Sequence, residues 1–269
     1  MVIDYYVADV FTQAKFGGNP AGVCILDKEI PMELCQNIAF ENKLSETAFV
    51  LKKGDAYELK WFTPEVEVEL CGHATLASAF VLSSYYNDTQ KVIKFSTLSG
   101  IITAEKKDDM FWLDFPSRPV QPVPQYSTFS RVFKTECYES YKANDFLLVF
   151  DDPRFVAEAR PDFNELRKIQ EEAVLPNNVF GIIISAAGTR FDCDFISRFF
   201  APNAGVDEDP VTGRAHCSLT PYWSQRLNKA SLVAKQISQR GGIIHCNFLG
   251  ERVELGGNAI IYSKGQIFV

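Results

Sequence analysis

The chain has 269 residues, of which 46% are hydrophobic and 23% charged, and its formal net charge is −7. Such a composition fits a globular protein able to bury one large core or two of ordinary size. The acidic balance argues against a general nucleic-acid or acidic-membrane binder, both of which need a basic field.

No apolar run approaches the roughly 20 residues that span a bilayer. The opening Met1-Val2-Ile3-Asp4-Tyr5-Tyr6 lacks the basic start and apolar stretch of a secretion signal. Seven cysteines form an odd set without a C-x-x-C pair, and there are only three histidines. These features predict reduced thiols in a cytoplasmic protein, with neither a disulfide frame nor a metal site.

In chain order, Val7 to Val10 reads as a strand, followed by the loop Phe16-Gly17-Gly18-Asn19-Pro20-Ala21-Gly22 and a strand from Val23 to Leu26. The loop lacks the G-x-G-x-x-G spacing and precedes no helix, so it predicts no dinucleotide site. Pro31 suits the first turn of a helix running to about Asn42. Leu44 to Leu51 follows as a strand carrying Glu46. Period-2 alternation puts Glu46 on one face with Leu44, Ala48 and Val50. A carboxylate in such company predicts a raised pKa, useful in general acid–base work.

An alternating run from Tyr57 to Phe62 turns at Thr63-Pro64 and leads to Cys71-Gly72-His73-Ala74-Thr75. From Ala74 to Tyr86 nearly every side is apolar, which predicts a buried helix starting at Gly72. Its unpaired N–H groups suit a carboxylate. The positive form of His73 is disfavoured at such a start, which predicts a neutral imidazole. Strands at Val92–Thr97, Ile101–Glu105 and Phe111–Phe115 precede Pro116, Pro119, Pro122 and Pro124, which read as a linker.

The second half echoes the first. A helix is expected from Asp162 to Glu172. A strand from Asp192 to Phe200 ends at Ala201-Pro202, and an acidic loop leads to Pro210-Val211-Thr212-Gly213-Arg214, where a second helix starts. The pairs Pro64/Pro202, Gly72/Gly213 and Gly100/Gly242 lie 138, 141 and 142 residues apart. Near-constant offsets indicate a duplicated fold. Pro221 should kink or shorten the second helix.

The reading is an α+β protein of two pseudo-symmetric domains, each an antiparallel β-barrel wrapped around a central helix. Connections this short exclude parallel crossovers. The boundaries fall at 1–117 and 118–257, with 258–269 able to return to the first domain. The two helix starts are expected to face a shared cleft.

The blocks Phe16–Ala21, Ser45-Glu46-Thr47-Ala48-Phe49, Cys71–Thr75, Glu208-Asp209-Pro210-Val211-Thr212-Gly213 and Arg240-Gly241-Gly242, in this order along nearly the whole chain, resemble the PhzF family of phenazine biosynthesis. The resemblance implies the diaminopimelate epimerase-like fold and a cofactor-independent isomerase. It implies that Glu46 is the acid/base group and that His73 and Asp209 line the reacting region. Gly72 and Gly213 would hold a substrate carboxylate, and Asn19, Ser45, Thr212 and Arg214 would bind the same ligand. A homodimer is also implied. Arg214 stands where the family more often has serine.

Cys71 can be read as a catalytic thiol or as a small buried residue. Asp209 before Pro210 can cap a helix or touch substrate. The Asp207-Glu208-Asp209 cluster lacks calcium-loop spacing. The expected function is proton movement between carbons of a small, cyclic carboxylate. The alternatives are a Cys-dependent amino-acid racemase or epimerase, and a non-catalytic small-molecule binding protein.

Overall fold

Alternating apolar runs become strands, and the repeat in the sequence becomes a repeat of strand pairings. The structure, a computed structural model, describes residues 1–135, 138–171 and 181–269. The chain divides into two units: Met1–Asp114 with Glu254–Val269, and Phe115–Val253.

The first part of the chain forms β1 (Val2–Val10), β2 (Asn19–Leu26), α1 (Met32–Asn42), β3 (Thr47–Lys53), β4 (Ala56–Phe62) and β5 (Glu67–Val68). It continues with α2 (Gly72–Tyr85), β6 (Val92–Thr97), β7 (Gly100–Lys107) and β8 (Met110–Pro116). Then come β9 (Gln121–Pro122), α3 (Ser127–Phe133), β10 (Glu139–Lys142), β11 (Phe146–Val149), α4 (Pro153–Glu158) and α5 (Phe163–Glu171). The expected end of that helix at Glu172 lies outside the described residues. The remainder is β12 (Ile182–Ala187), β13 (Phe195–Ala201), β14 (Val206–Asp209), α6 (Gly213–Leu227), β15 (Ser231–Gln236), β16 (Gly242–Phe248), β17 (Arg252–Gly257) and β18 (Ala259–Phe268).

In the first unit β2 runs parallel to β3, β3 antiparallel to β4, β4 antiparallel to β5 but parallel to β6, and β6 antiparallel to β7. In the second unit β11, β12, β13, β14, β15 and β16 repeat that series step for step. The sheets are therefore mixed, which corrects the expectation of antiparallel strands alone. Each parallel pair is bridged by a helical crossover: α1, α2, α4 with α5, and α6. Such a connection is what a parallel pairing requires. The final strand β18 returns to β1, pairing from Val2↔Phe268 to Val10↔Ala259.

Both long helices are sunk in their own unit. Nine residues of α2, from His73 to Leu82, are buried, and it packs on β1, β2, β3, β7 and β18. Its buried hydroxyls are satisfied locally: Thr75 donates to the Cys71 carbonyl at 2.6 Å and Ser78 to that of Ala74 at 2.7 Å. A hydroxyl left unpaired there would cost about 1–3 kcal/mol.

Helix α6 runs through Pro221 to Leu227, so the proline does not shorten it. Proline supplies no N–H to the carbonyl four residues back. That carbonyl, of Cys217, instead accepts the backbone N–H of Arg118 at 2.9 Å.

Candidate active site

In the first unit the site is assembled from the β1–β2 loop, the end of the α1–β3 connection and the start of α2. Gly18 sits at φ +65°, where a Cβ would lie 2.1 Å from the Val10 carbonyl oxygen. Only glycine fits both the left-handed conformation and that approach. The buried Asp9 carboxylate accepts the Phe16 N–H at 3.1 Å and ties the loop down. Asn19, fully buried at the start of β2, accepts the Ser45 hydroxyl at 3.5 Å.

Glu46 lies just before β3 and not within a strand, so the alternation argument does not apply to it. Its carbonyl still accepts the Gly22 N–H at 3.2 Å, which holds the segment in register with β2. Its side chain, 20% exposed, reaches the His73 imidazole, with Oε2 3.1 Å from Nε2. The approach is close but off the N–H axis, and Oε2 has no aligned hydrogen-bond partner among the described residues. His73 Nε2 is also 3.4 Å from the Ser45 Oγ. Cys71 Sγ lies 3.5 Å from His73 Nδ1 and 4.0 Å from Nε2.

These three groups shift one another. Burial alone would push the Glu46 carboxyl up, but the His73 charge, with the nearby polar groups of Ser45 and Cys71, outweighs burial and holds it below its ordinary value. Burial opposes a charge on His73, yet the negative charge offered by Cys71 and Glu46 outweighs it and raises the imidazole well above the usual range. Burial and the Glu46 carboxylate push the Cys71 thiol up. The three groups together favour charge on Glu46 and His73 and disfavour it on the Cys71 thiol. Both the raised Glu46 and the neutral His73 expected from the sequence are overturned, because each was judged without the other's charge.

The glycine of Cys71-Gly72-His73 starts α2, and no side-chain hydrogen bond caps that start. The same holds for α6, which begins at Gly213 after Thr212. In the second unit the Thr212 hydroxyl donates to the Asp209 carboxylate. The side chain of Gln236, buried at the end of β15, accepts the Thr212 N–H at 2.9 Å and donates to the Asp209 carbonyl at 2.7 Å. Arg214, on the first turn of α6, is engaged within its own unit. It donates from Nε and Nη2 to Asp145 at 3.0 and 3.2 Å, and the buried Asp145 also accepts the Gly181 N–H at 3.0 Å. Glu208, next to Asp209, is gripped by the buried Arg198 at 2.6 and 2.8 Å.

The structure therefore gathers Asn19, Ser45, Glu46, Cys71, Gly72 and His73 in one unit, and Asp209, Thr212, Gly213 and Arg214 in the other. Sequence reasoning missed Gln236, Asp145 and Arg198. Gln236 carried one signal, an amide ending a strand just before the Arg240-Gly241-Gly242 block. It also missed that Glu46, Cys71 and His73 form a possible cation-ligand set, since Glu46 comes from a different element and leaves no spacing to read.

A mixed sheet around a buried helix, repeated within one chain, defines the diaminopimelate epimerase-like fold. A hydroxyproline epimerase of Agrobacterium vitis shares that fold at 13% identity, with a TM-score of 0.63 over 99% of this chain and 92% of its own. The family profile of phenazine biosynthesis-like proteins matches residues 8–265, and the chain belongs to that family. A crystal structure of a PhzF family phenazine biosynthesis protein from Enterococcus faecalis is similar at 42% identity and a TM-score of 0.94, with 100% of each chain covered. A Pseudomonas aeruginosa protein described as an uncharacterized isomerase is 43% identical over 268 residues, 99% of each chain. No helix among the described residues is long and apolar enough to cross a membrane.

Proposed function

We propose that this isomerase of the phenazine biosynthesis-like family moves a proton between carbons of a small, cyclic carboxylate, with Glu46 as the group that takes and returns it. The observation that supports this reading best is the Glu46 carboxylate held 3.1 Å from His73, with an oxygen that no aligned donor occupies. An ionised carboxylate can abstract a proton next to a carbonyl, and an imidazolium can deliver one. The pairing keeps Glu46 a weak base while the site is empty. A substrate carboxylate at the Gly72 helix start would compete for the His73 charge, leaving Glu46 more basic at the moment it is needed. The N–H groups of that start would also face charge developing on the substrate. No cofactor is invoked.

The second reading is a racemase or epimerase using Cys71, favoured by its thiol lying 3.5 Å from a His73 nitrogen. Candidate cyclic and amino-acid carboxylates incubated in heavy water separate the readings by deuterium entering carbon positions. Glu46→Gln abolishes exchange on the first reading. Exchange that survives in Glu46→Gln and vanishes in Cys71→Ala supports the second. Ligand binding without exchange in the wild type leaves a non-catalytic binding protein.

A further inference from the structure

The three side chains of the candidate active site are also a donor set, and their spacing suits one class of cation. A thiol, an imidazole and a carboxylate oxygen, from Cys71, His73 and Glu46, lie within 4.8 Å of one another. Tetrahedral zinc, with bonds of about 2.3 Å to sulfur and about 2.0–2.1 Å to nitrogen and oxygen, sets its donors roughly 3.3–3.6 Å apart. Here Nε2 lies 3.1 Å from Oε2 and 4.0 Å from Sγ. The two separations from Nε2 need to change by only a few tenths of an ångström, and Sγ and the carboxylate oxygen lie no more than 4.8 Å apart. Cys71 and His73 are fixed by the first turn of a buried helix, so two of the three ligands are already oriented. The carboxylate oxygen that would bind has no aligned donor to give up.

We propose that Glu46, Cys71 and His73 bind a single soft divalent cation of the zinc class, leaving one coordination position open. Sulfur and nitrogen donors select zinc over magnesium or calcium, which take oxygen ligands. The metal displaces the protons carried by the Cys71 thiol and His73 Nε2, which pass to solvent. Zinc bound there occupies the carboxylate assigned above to proton transfer, so it blocks turnover. That inhibition rests on the reading of Glu46, whereas the binding does not.

The test is titration of the metal-free protein with Zn²⁺ against a chromophoric chelator, alongside Co²⁺ absorption spectra. One equivalent of Zn²⁺ is expected to bind, and Co²⁺ is expected to give a thiolate-to-cobalt charge-transfer band. Cys71→Ser abolishes the band and weakens Zn²⁺ binding at least tenfold, while Cys193→Ser, at a partly exposed thiol, changes neither. Millimolar Mg²⁺ does not compete. The proposal is overturned if wild-type protein takes up no Zn²⁺, if the cobalt band is missing, or if binding survives intact in a folded Cys71→Ser. The cobalt band needs no variant, so a misfolded mutant does not obscure the outcome. Stoichiometric Zn²⁺ binding at these residues with undiminished proton exchange upholds the metal site and rejects the role of Glu46.

Discussion

The starts of α2 and α6 have the same scaffold and opposite chemistry. At the offset of 141 residues that aligns Gly72 with Gly213, Cys71 aligns with Thr212, His73 with Arg214 and Thr75 with His216. Around α2 the titratable groups answer to one another, and one carboxylate oxygen lacks an aligned partner. Around α6 several polar groups are tied to the unit's own frame: Thr212 to Gln236 and Asp209, Arg214 to Asp145, Glu208 to Arg198, although the buried His216 Nε2 has no hydrogen-bond partner among the described residues. Even the histidines diverge. His73 is raised by its anionic neighbours, whereas burial pushes His216 down to about 4, only partly offset by its bond to the Thr212 carbonyl. A duplicated fold has kept its pairings while only one of its two helix starts sets a carboxylate against an imidazole.

Replacing one atom at that start should have the largest effect. Glu46→Gln is expected to lower deuterium exchange by about 10²–10⁴-fold, the range of a lost acid–base group, while the unfolding midpoint falls only slightly. Exchange within a few-fold of wild type would erase the contrast between the two starts.

The histidines offer a second test, through pH. His73, raised above its ordinary 6.5, contributes stability that is complete below that pH and lost as pH rises through its folded value. His216 behaves in the opposite sense. Its folded value of about 4 against 6.5 means stability present above 6.5 and lost as pH falls toward 4. A shift of this size corresponds to about 3 kcal/mol. Thermal midpoints measured across pH should show His216→Leu flattening the acid arm and Glu46→Gln flattening the alkaline one. Unchanged arms in both variants would contradict these assignments.

Smaller effects concern support. Gly18→Ala must place a Cβ against the Val10 carbonyl at positive φ. We expect a loss of about 2 kcal/mol by denaturant unfolding, and reduced exchange because Asn19 follows directly. Gln236→Leu removes the amide that holds the Asp209–Thr212 turn, and should lower stability by about 1 kcal/mol in denaturant unfolding. An unchanged unfolding midpoint would show that the turn holds without the amide.

Much of this was legible in local sequence. Period-2 runs, the Gly72 and Gly213 helix starts and the near-constant offset are short-range signals, and they reach the duplicated fold. The parallel pairings escaped because a crossover helix looks like any other helix until the strands on either side are matched. The placement of Glu46 was off by the length of a loop: the apolar run from Leu44 does not reveal that pairing starts at Thr47. Arg214 and Asp145 are 69 residues apart and Thr212 and Gln236 are 24, so no motif joins them. The charge states failed for a related reason. Burial can be guessed from one residue's surroundings, but the field of a partner requires knowing which partner arrives.

Pro221 has a consequence for the order in which the second unit is built. Because the helix cannot close its own ladder at Cys217, its middle is completed by the Arg118 amide, about a hundred residues earlier in the chain. The segment leaving β8 is therefore a template part of α6 and not a passive tether, and the helix is complete only when that early strand end is seated. Amide exchange at Arg118 should then report on the opening of α6, a single backbone proton serving as a gauge for the heart of the unit.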